Sequence, residues 1–271
     1  MQLVLGYADY PRAIIGAARR RADFAGVERF CLFLGYPRSG HTLPGAMLNA
    51  HPNALIAHEL DALQYVDMGF GRDALFSLLV DRDQWFCRRG CEWTGYSYTI
   101  PNQSQGRTDG LRVIGDKKGA GTARRLGRNP ALLERLRRTV EVPLRLIHVT
   151  RNPFDNIATI AARRSWSVEE AARTYFSLCD AVAGTLRRCD SSEVLHLRHE
   201  DMIAAPVERL QGMCQFVGIV PSRSYLADCA GIVFASPSKS RTKAGYSAEQ
   251  RASIEARQAR YEFLRGYTYD S

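Results

Sequence analysis

The sequence predicts an α/β fold in which a central parallel sheet of about five strands is covered by helices on both faces. Three observations carry this. Five short runs rich in apolar, β-branched and aromatic residues are bounded by turn formers, as buried strands are: FCLFLGY (30 to 36), ALIAH (54 to 58), RVIGD (112 to 116), LRLIHVT (144 to 150) and EVLHLR (193 to 198). Helical patterns separate these runs, and a strand-helix alternation implies parallel pairing with both faces covered. The first run passes through GYPRSGHT (35 to 42) into a helical pattern, and ligand chemistry in such a sheet belongs at the carboxyl ends of the strands.

Composition is compatible with this reading. The chain has 271 residues, 45% hydrophobic and 24% charged, without repeats or low-complexity tracts, and no break in composition divides it. A single domain over residues 1 to 271 is expected. Lysine and arginine number 37 against 28 acidic residues, a formal charge of +9, which favours anionic partners without choosing among them. Seven cysteines form an odd set with no C-x-x-C pair, so neither a disulfide framework nor a zinc ribbon is expected, and a reducing, cytoplasmic setting fits. Cys87 and Cys91 in CRRGC are a faint metal or redox hint that lacks a second ligand pair.

Taken in order, the start MQLVLGYADYPRAIIGAARRR has neither a basic n-region followed by an apolar run nor a stretch long enough to span a membrane. It reads as a peripheral basic helix carrying Ile14 and Ile15. After the second strand, residues 68 to 111 interrupt the alternation with aromatic and turn-forming residues, among them Trp85, Trp93, Tyr96 and Tyr98. That segment is expected to be an insertion on the substrate side. Asn129-Pro130 and Ala205-Pro206 each place proline at a first helical position, and Ser167 with Glu170, then Ser247 with Gln250, form capping boxes. The small, polar and basic stretch GIVFASPSKSRTKAGY (231 to 246) is expected to be a lid loop.

GYPRSGHT carries the chemistry. Its G-x-x-x-x-G-x-T spacing between strand and helix is that of a phosphate-cradling P-loop, so the fold expected is P-loop NTPase-like, with three layers. Backbone N–H groups at the loop and helix start would converge on one anion, with Ser39 and Thr42 adding hydroxyls. ATP chemistry is disfavoured on two counts. His41 stands where the lysine of that loop belongs, and the strand LRLIHVT ends in Thr150-Arg151 rather than in an acidic residue that could help hold Mg²⁺. A strand-end arginine attracts a second phosphate and repels a metal.

These residues resemble the sulfotransferases that use 3′-phosphoadenosine 5′-phosphosulfate (PAPS), and the chain looks like a small soluble bacterial-type member. The family's loop for the 5′-phosphosulfate is matched by Tyr36, Pro37, Arg38, Ser39, Gly40 and Thr42, with His41 within it. Its R-N-P-x-D element for the 3′-phosphate is matched by HVTRNPFDNIAT, with Arg151 and Thr159 in register. VLHLRHEDMIAAPVERLQGMCQFVGI is similar to the family's next strand, loop and helix, with His199 where the family carries a tyrosine near the adenine. The resemblance covers roughly residues 30 to 265 without 68 to 111, and it implies no metal.

What the resemblance implies for catalysis is a base at Glu59, with His58 as the competitor, and charge stabilisation by Lys117 or Lys118, of which Lys117 aligns better. Arg241 and Lys243 match the family's C-terminal cofactor loop loosely. The expected reaction moves a sulfuryl group to a hydroxyl or amine of a small molecule or sugar, leaving adenosine 3′,5′-bisphosphate. The rivals are a P-loop kinase or NTPase and a non-catalytic nucleotide- or nucleic-acid-binding protein. No aromatic-basic stacking motif supports nucleic acid, and oligomeric state is not legible.

Overall fold

The computed structural model describes residues 7–271; the opening residues 1–6, part of the start read above for a leader, lie outside it. Two helices, α1 (Tyr10–Arg19) and α2 (Arg21–Ala25), lead to β1 (Arg29–Gly35), α3 (Thr42–Asn49), β2 (Ala54–His58), α4 (Ala62–Asp67) and α5 (Arg72–Arg88). A hairpin of β3 (Glu92–Trp93) and β4 (Tyr96–Ser97) precedes β5 (Val113–Gly119), α6 (Ala120–Arg128), α7 (Ala131–Val140) and β6 (Leu144–Thr150). Then come α8 (Pro153–Arg164), α9 (Val168–Leu186), β7 (Val194–Arg198), α10 (His199–Ala204), α11 (Pro206–Val217), α12 (Arg223–Gly231) and α13 (Ala248–Gln258).

The five longer strands form one parallel sheet in the order β2-β5-β1-β6-β7, the α/β class with a P-loop-like arrangement that the alternation predicts. β1 lies at its centre, and alternate residues supply two cores: Phe30, Leu32 and Leu34 on one face, Cys31 and Phe33 on the other, all fully buried. Burial on both faces is why the strands read as continuous apolar runs rather than as an alternation.

Local signals account for several helix starts. Ser167 and Glu170 close a reciprocal capping box on α9, as Ser247 and Gln250 do on α13, and Pro153 and Pro206 occupy first turns, where a missing N–H costs nothing. Pro130 sits one position earlier than expected, at the N-cap of α7. Two differences matter more. The segment 68 to 111 is not irregular throughout: its first part is the 17-residue α5, which buries Leu75, Phe76, Leu78 and Leu79 in the main core, and only the hairpin and the following loop stand apart. The strand expected at 112 to 116 runs on to Gly119, so Lys117 and Lys118 lie in the sheet and not on a turn.

Ile14 and Ile15 are exposed on α1, as a peripheral helix requires. Among the described residues no helix is long and apolar enough to cross a membrane. No group of residues there could hold a metal ion, and Cys87 and Cys91 are free thiols.

Candidate active site

The loop after β1 folds as an anion cradle because two of its residues take left-handed backbone. Arg38 has φ 66° and Gly40 has φ 83°. Ser39 is fully buried and holds the turn from inside, donating to the Tyr36 carbonyl at 3.0 Å and meeting His41 Nδ1 at 3.1 Å. Among the described residues no acceptor faces the N–H groups of Gly40, His41 and Thr42, which open the helix α3. Free N–H groups at a helix start are a ready site for an oxyanion.

Beside this loop lie the ends of β2 and β5. Lys117 is 2% exposed, and its Nζ stands 3.0 Å from Glu59 Oε1, 3.3 Å from Thr42 Oγ1 and 3.5 Å from His58 Nε2. Lys118 Nζ takes the other carboxylate oxygen at 3.1 Å, and His41 Nε2 approaches to 4.0 Å. Gly45 makes room for the arrangement: a Cβ there would meet Lys117 Cγ at 2.8 Å. Burial works to raise the Glu59 carboxyl, but Lys117, the His41 contact and Lys118 together hold it well below the usual carboxylate range. Burial lowers the Lys117 ammonium, with Glu59 opposing the change.

The backbone that presents Glu59 is itself unusual. Glu59 and Asp61 have φ of 61° and 74°, a region that side chains other than glycine enter at a cost. Asp116, fully buried on β5, supplies the compensation. Its carboxylate accepts the N–H groups of Leu60 at 3.0 Å, Asp61 at 2.9 Å and Ala62 at 2.8 Å. A strand residue next to Lys117 thus fixes the turn that carries Glu59. The sequence reading did not single out Asp116.

His58 is placed differently from Glu59. Its ring stacks on Phe86 at 3.9 Å and meets the edge of Trp93 at 4.7 Å. Burial first, then the neighbouring Lys117, push its pKa down to about 2. Tyr98 lies beside Thr42, and Tyr96 meets Phe234 of the 231 to 246 loop. Trp85, by contrast, is held against the guanidinium groups of Arg82 and Arg89.

The second cationic element sits on the adjoining strand end. Arg151 donates to the Arg38 carbonyl at 3.2 Å and to the Ser238 carbonyl, while its Nε is buried without a partner among the described residues. Asn152 caps α8, and Asn156 ties that helix to the first loop by donating to the Pro37 carbonyl at 2.6 Å. Thr159 Oγ1 bonds the Asp155 carbonyl and Ser240 Oγ, so the 231 to 246 loop lies directly on the Arg151 and Thr159 element.

The two expected cofactor residues of the 231 to 246 loop differ in setting. Arg241 is 3% exposed and faces inward, paired with the Asp155 carboxylate at 2.6 Å; Lys243 is exposed, and its side chain makes no hydrogen bond among the described residues. The cause is Asp155, a buried carboxylate that takes the one loop arginine within reach. His199 packs against the first loop, so close that a Cβ on Gly40 would meet its Nδ1 at 2.2 Å. That Nδ1 is buried without a partner among the described residues, and burial followed by Arg151 pushes the pKa down to about 4.

The sulfotransferase family profile matches residues 32–221, which is more than half of the chain and includes both elements. The chain belongs to the sulfotransferase family. Among solved structures, this sulfotransferase is similar to the sulfotransferase domain from the curacin biosynthetic pathway. The TM-score is 0.52 at 15% identity, covering 87% of this chain and 99% of the other. Sulfotransferase STF1 from Mycobacterium tuberculosis H37Rv is also similar, with a TM-score of 0.50 at 13% identity, covering 94% and 80%. At such identities the likeness concerns the fold. No curated protein sequence matches the chain.

Two buried histidines and the half-buried His199 are expected to make the sulfotransferase acid-sensitive. His58, His148 and His199 are pushed from an ordinary 6.5 to about 2, 3 and 4, in each case chiefly by burial. Their folded pKa values lie below the unfolded value, so the unfolded chain takes up the extra protons. Stability is complete above about pH 6.5 and falls as pH drops below it, by about 2 kcal/mol per histidine at pH 5. Urea unfolding at pH 7 and pH 5 checks this, with His58→Phe expected to flatten its share of the slope. Equal stability at the two pH values would mean that the rings are charged in place.

Proposed function

We propose that this sulfotransferase moves a sulfuryl group from PAPS to a hydroxyl, or an amine, of a small-molecule or sugar acceptor, leaving adenosine 3′,5′-bisphosphate. One observation carries the reading: the free N–H groups of Gly40, His41 and Thr42, the Lys117 ammonium and the Glu59 carboxylate meet at a single corner of the sheet. PAPS fits the residues present. Partnerless buried atoms on Arg151 and His199 face the two cationic elements, as a ligand with two anionic ends requires. When bound, it supplies the activated sulfuryl group.

Each residue then has a part. Arg38, Ser39, Gly40, His41 and Thr42 hold the 5′-phosphosulfate, with His199 closing over Gly40. Arg151 and Thr159 hold the 3′-phosphate in place of their contacts with Ser238 and Ser240. Lys117 turns from Glu59 to the bridging oxygen and stabilises the charge that develops there as the S–O bond breaks. Glu59 takes the acceptor proton as the acceptor oxygen bonds to sulfur. His58, stacked against Phe86 and Trp93 with its Nε2 beside Lys117, is the alternative proton acceptor. Residues 231 to 246 serve as a lid, with Arg241 anchoring it through Asp155 rather than touching the cofactor. The domain spans the chain, and the hairpin at 92 to 97 borders the acceptor side.

The test is thermal unfolding in the presence of a chelator. Adenosine 3′,5′-bisphosphate at 100 times its Kd should add about 2.7 kcal/mol. Stabilisation by ATP that requires Mg²⁺, with no response to the bisphosphate, would restore the kinase reading.

A further inference from the structure

A second concave surface lies away from the corner just described. It is a groove of about 840 Å³ between α6, the start of α7 and α9, and none of its lining residues belongs to the Arg38, Glu59, Lys117 or Arg151 elements. Its wall along α9 runs from Arg173 to Thr185, about 18 Å of helix at 1.5 Å per residue, with Arg187 and Arg188 in the turn just past the helix end. The floor is made of small and apolar residues. Gly127 packs on Ala181 so closely that a Cβ would meet it at 2.6 Å, and Leu133 and Leu178 are buried beside them.

The rim is cationic. Arg124, Arg128, Arg173, Arg187 and Arg188 line the groove and are exposed, and among the described residues none of these guanidinium groups has a hydrogen bond or salt bridge. Two carboxylates are near. Asp180 lines the groove but accepts the Tyr261 hydroxyl at 2.7 Å, and Glu170 acts on Arg173 by charge from the helix start. Elsewhere on this surface arginines are paired off: Arg125 with Asp61, Arg135 with Asp67 and Arg137 with Glu193. Five left unpaired around one concave surface are a concentration of charge that repels itself unless an anion joins it.

We infer that the groove is a second binding site, taking a nucleotide-sized anion that carries two or more phosphate groups on an apolar, ring-bearing body. The volume lies within the range of small-molecule sites. Guanidinium groups recognise phosphate in bidentate fashion, and the Gly127, Ala181 and Leu133 floor lets a ring lie flat between the two helices. The inference is independent of the sulfotransferase chemistry, since it uses none of those residues.

Hydrogen exchange of the full chain in a chelator, with ATP in one arm and inorganic tripolyphosphate in the other, tests it. ATP should protect peptides covering 124 to 133 and 173 to 188, at a concentration at least ~5-fold lower than tripolyphosphate needs. Arg128→Glu combined with Arg187→Glu, both on the exposed rim, should weaken that protection at least ~10-fold, while Lys at both positions should restore most of it. Protection confined to 35 to 42 and 151 to 159 would overturn the inference. So would protection by tripolyphosphate equal to that by ATP, which marks plain charge attraction to a basic face, or protection indifferent to the charge reversal.

Discussion

Glu59→Gln should lower kcat by at least ~10²-fold while leaving the affinity for adenosine 3′,5′-bisphosphate nearly unchanged. A general base contributes ~10² to 10⁴-fold, and glutamine keeps the shape while losing the proton acceptor. The retained side-chain oxygen can still accept from one of the two lysines that meet Glu59 at 3.0 and 3.1 Å, so the corner should persist. His58→Asn is the matched control. The two variants are compared in single turnover, where chemistry limits the rate. If Glu59→Gln keeps wild-type turnover and His58→Asn loses it, the base is the histidine; if both keep it, the base lies outside this turn.

Arg151→Ala should weaken adenosine 3′,5′-bisphosphate by about 1.5 to 3 kcal/mol, roughly 10- to 150-fold in Kd, the scale of a charge-assisted hydrogen bond. Adenosine 5′-phosphosulfate, which lacks the 3′-phosphate, should lose far less. The comparison is needed because Arg151 also holds the Arg38 carbonyl, and its loss loosens the first loop for either ligand. Titration calorimetry with both compounds separates the two effects. Equal losses would mean that the arginine supports the loop and does not read the 3′ position.

The sheet was legible because its strands are buried on both faces: ALIAH and LRLIHVT coincide with β2 and β6 residue for residue. The two candidate anion-binding elements were legible because each requires particular residues at fixed spacing just past a strand end. What stayed hidden depends on pairing across the sheet. Lys117 fell just outside the strand read at 112 to 116 because charged residues rarely occupy an inner strand; the register that sets it opposite His58 is a tertiary fact. Asp116 was hidden for the same reason, since its three acceptor contacts lie more than fifty residues back along the chain. Helix α5 was overlooked because the aromatic and turn-rich residues after it dominated the reading of the whole segment. Arg241 shows the opposite limit: a cation in a loop looks free until its buried carboxylate is known.

The loop that rests on Arg151 and Thr159 has a consequence for how affinity can evolve. On the proposed reading the Ser238 carbonyl and the Ser240 hydroxyl occupy contacts that a 3′-phosphate would otherwise take, so the affinity at that end would be the intrinsic one scaled by the fraction of molecules with the loop raised. The concentration at which the site half-fills would then be set jointly by the arginine and by a loop carbonyl and a loop hydroxyl that need not touch the ligand. A lineage living at a different cofactor concentration could then retune that point by strengthening or weakening the loop's hold on Thr159 through Ser240, while Arg151 is left as it is.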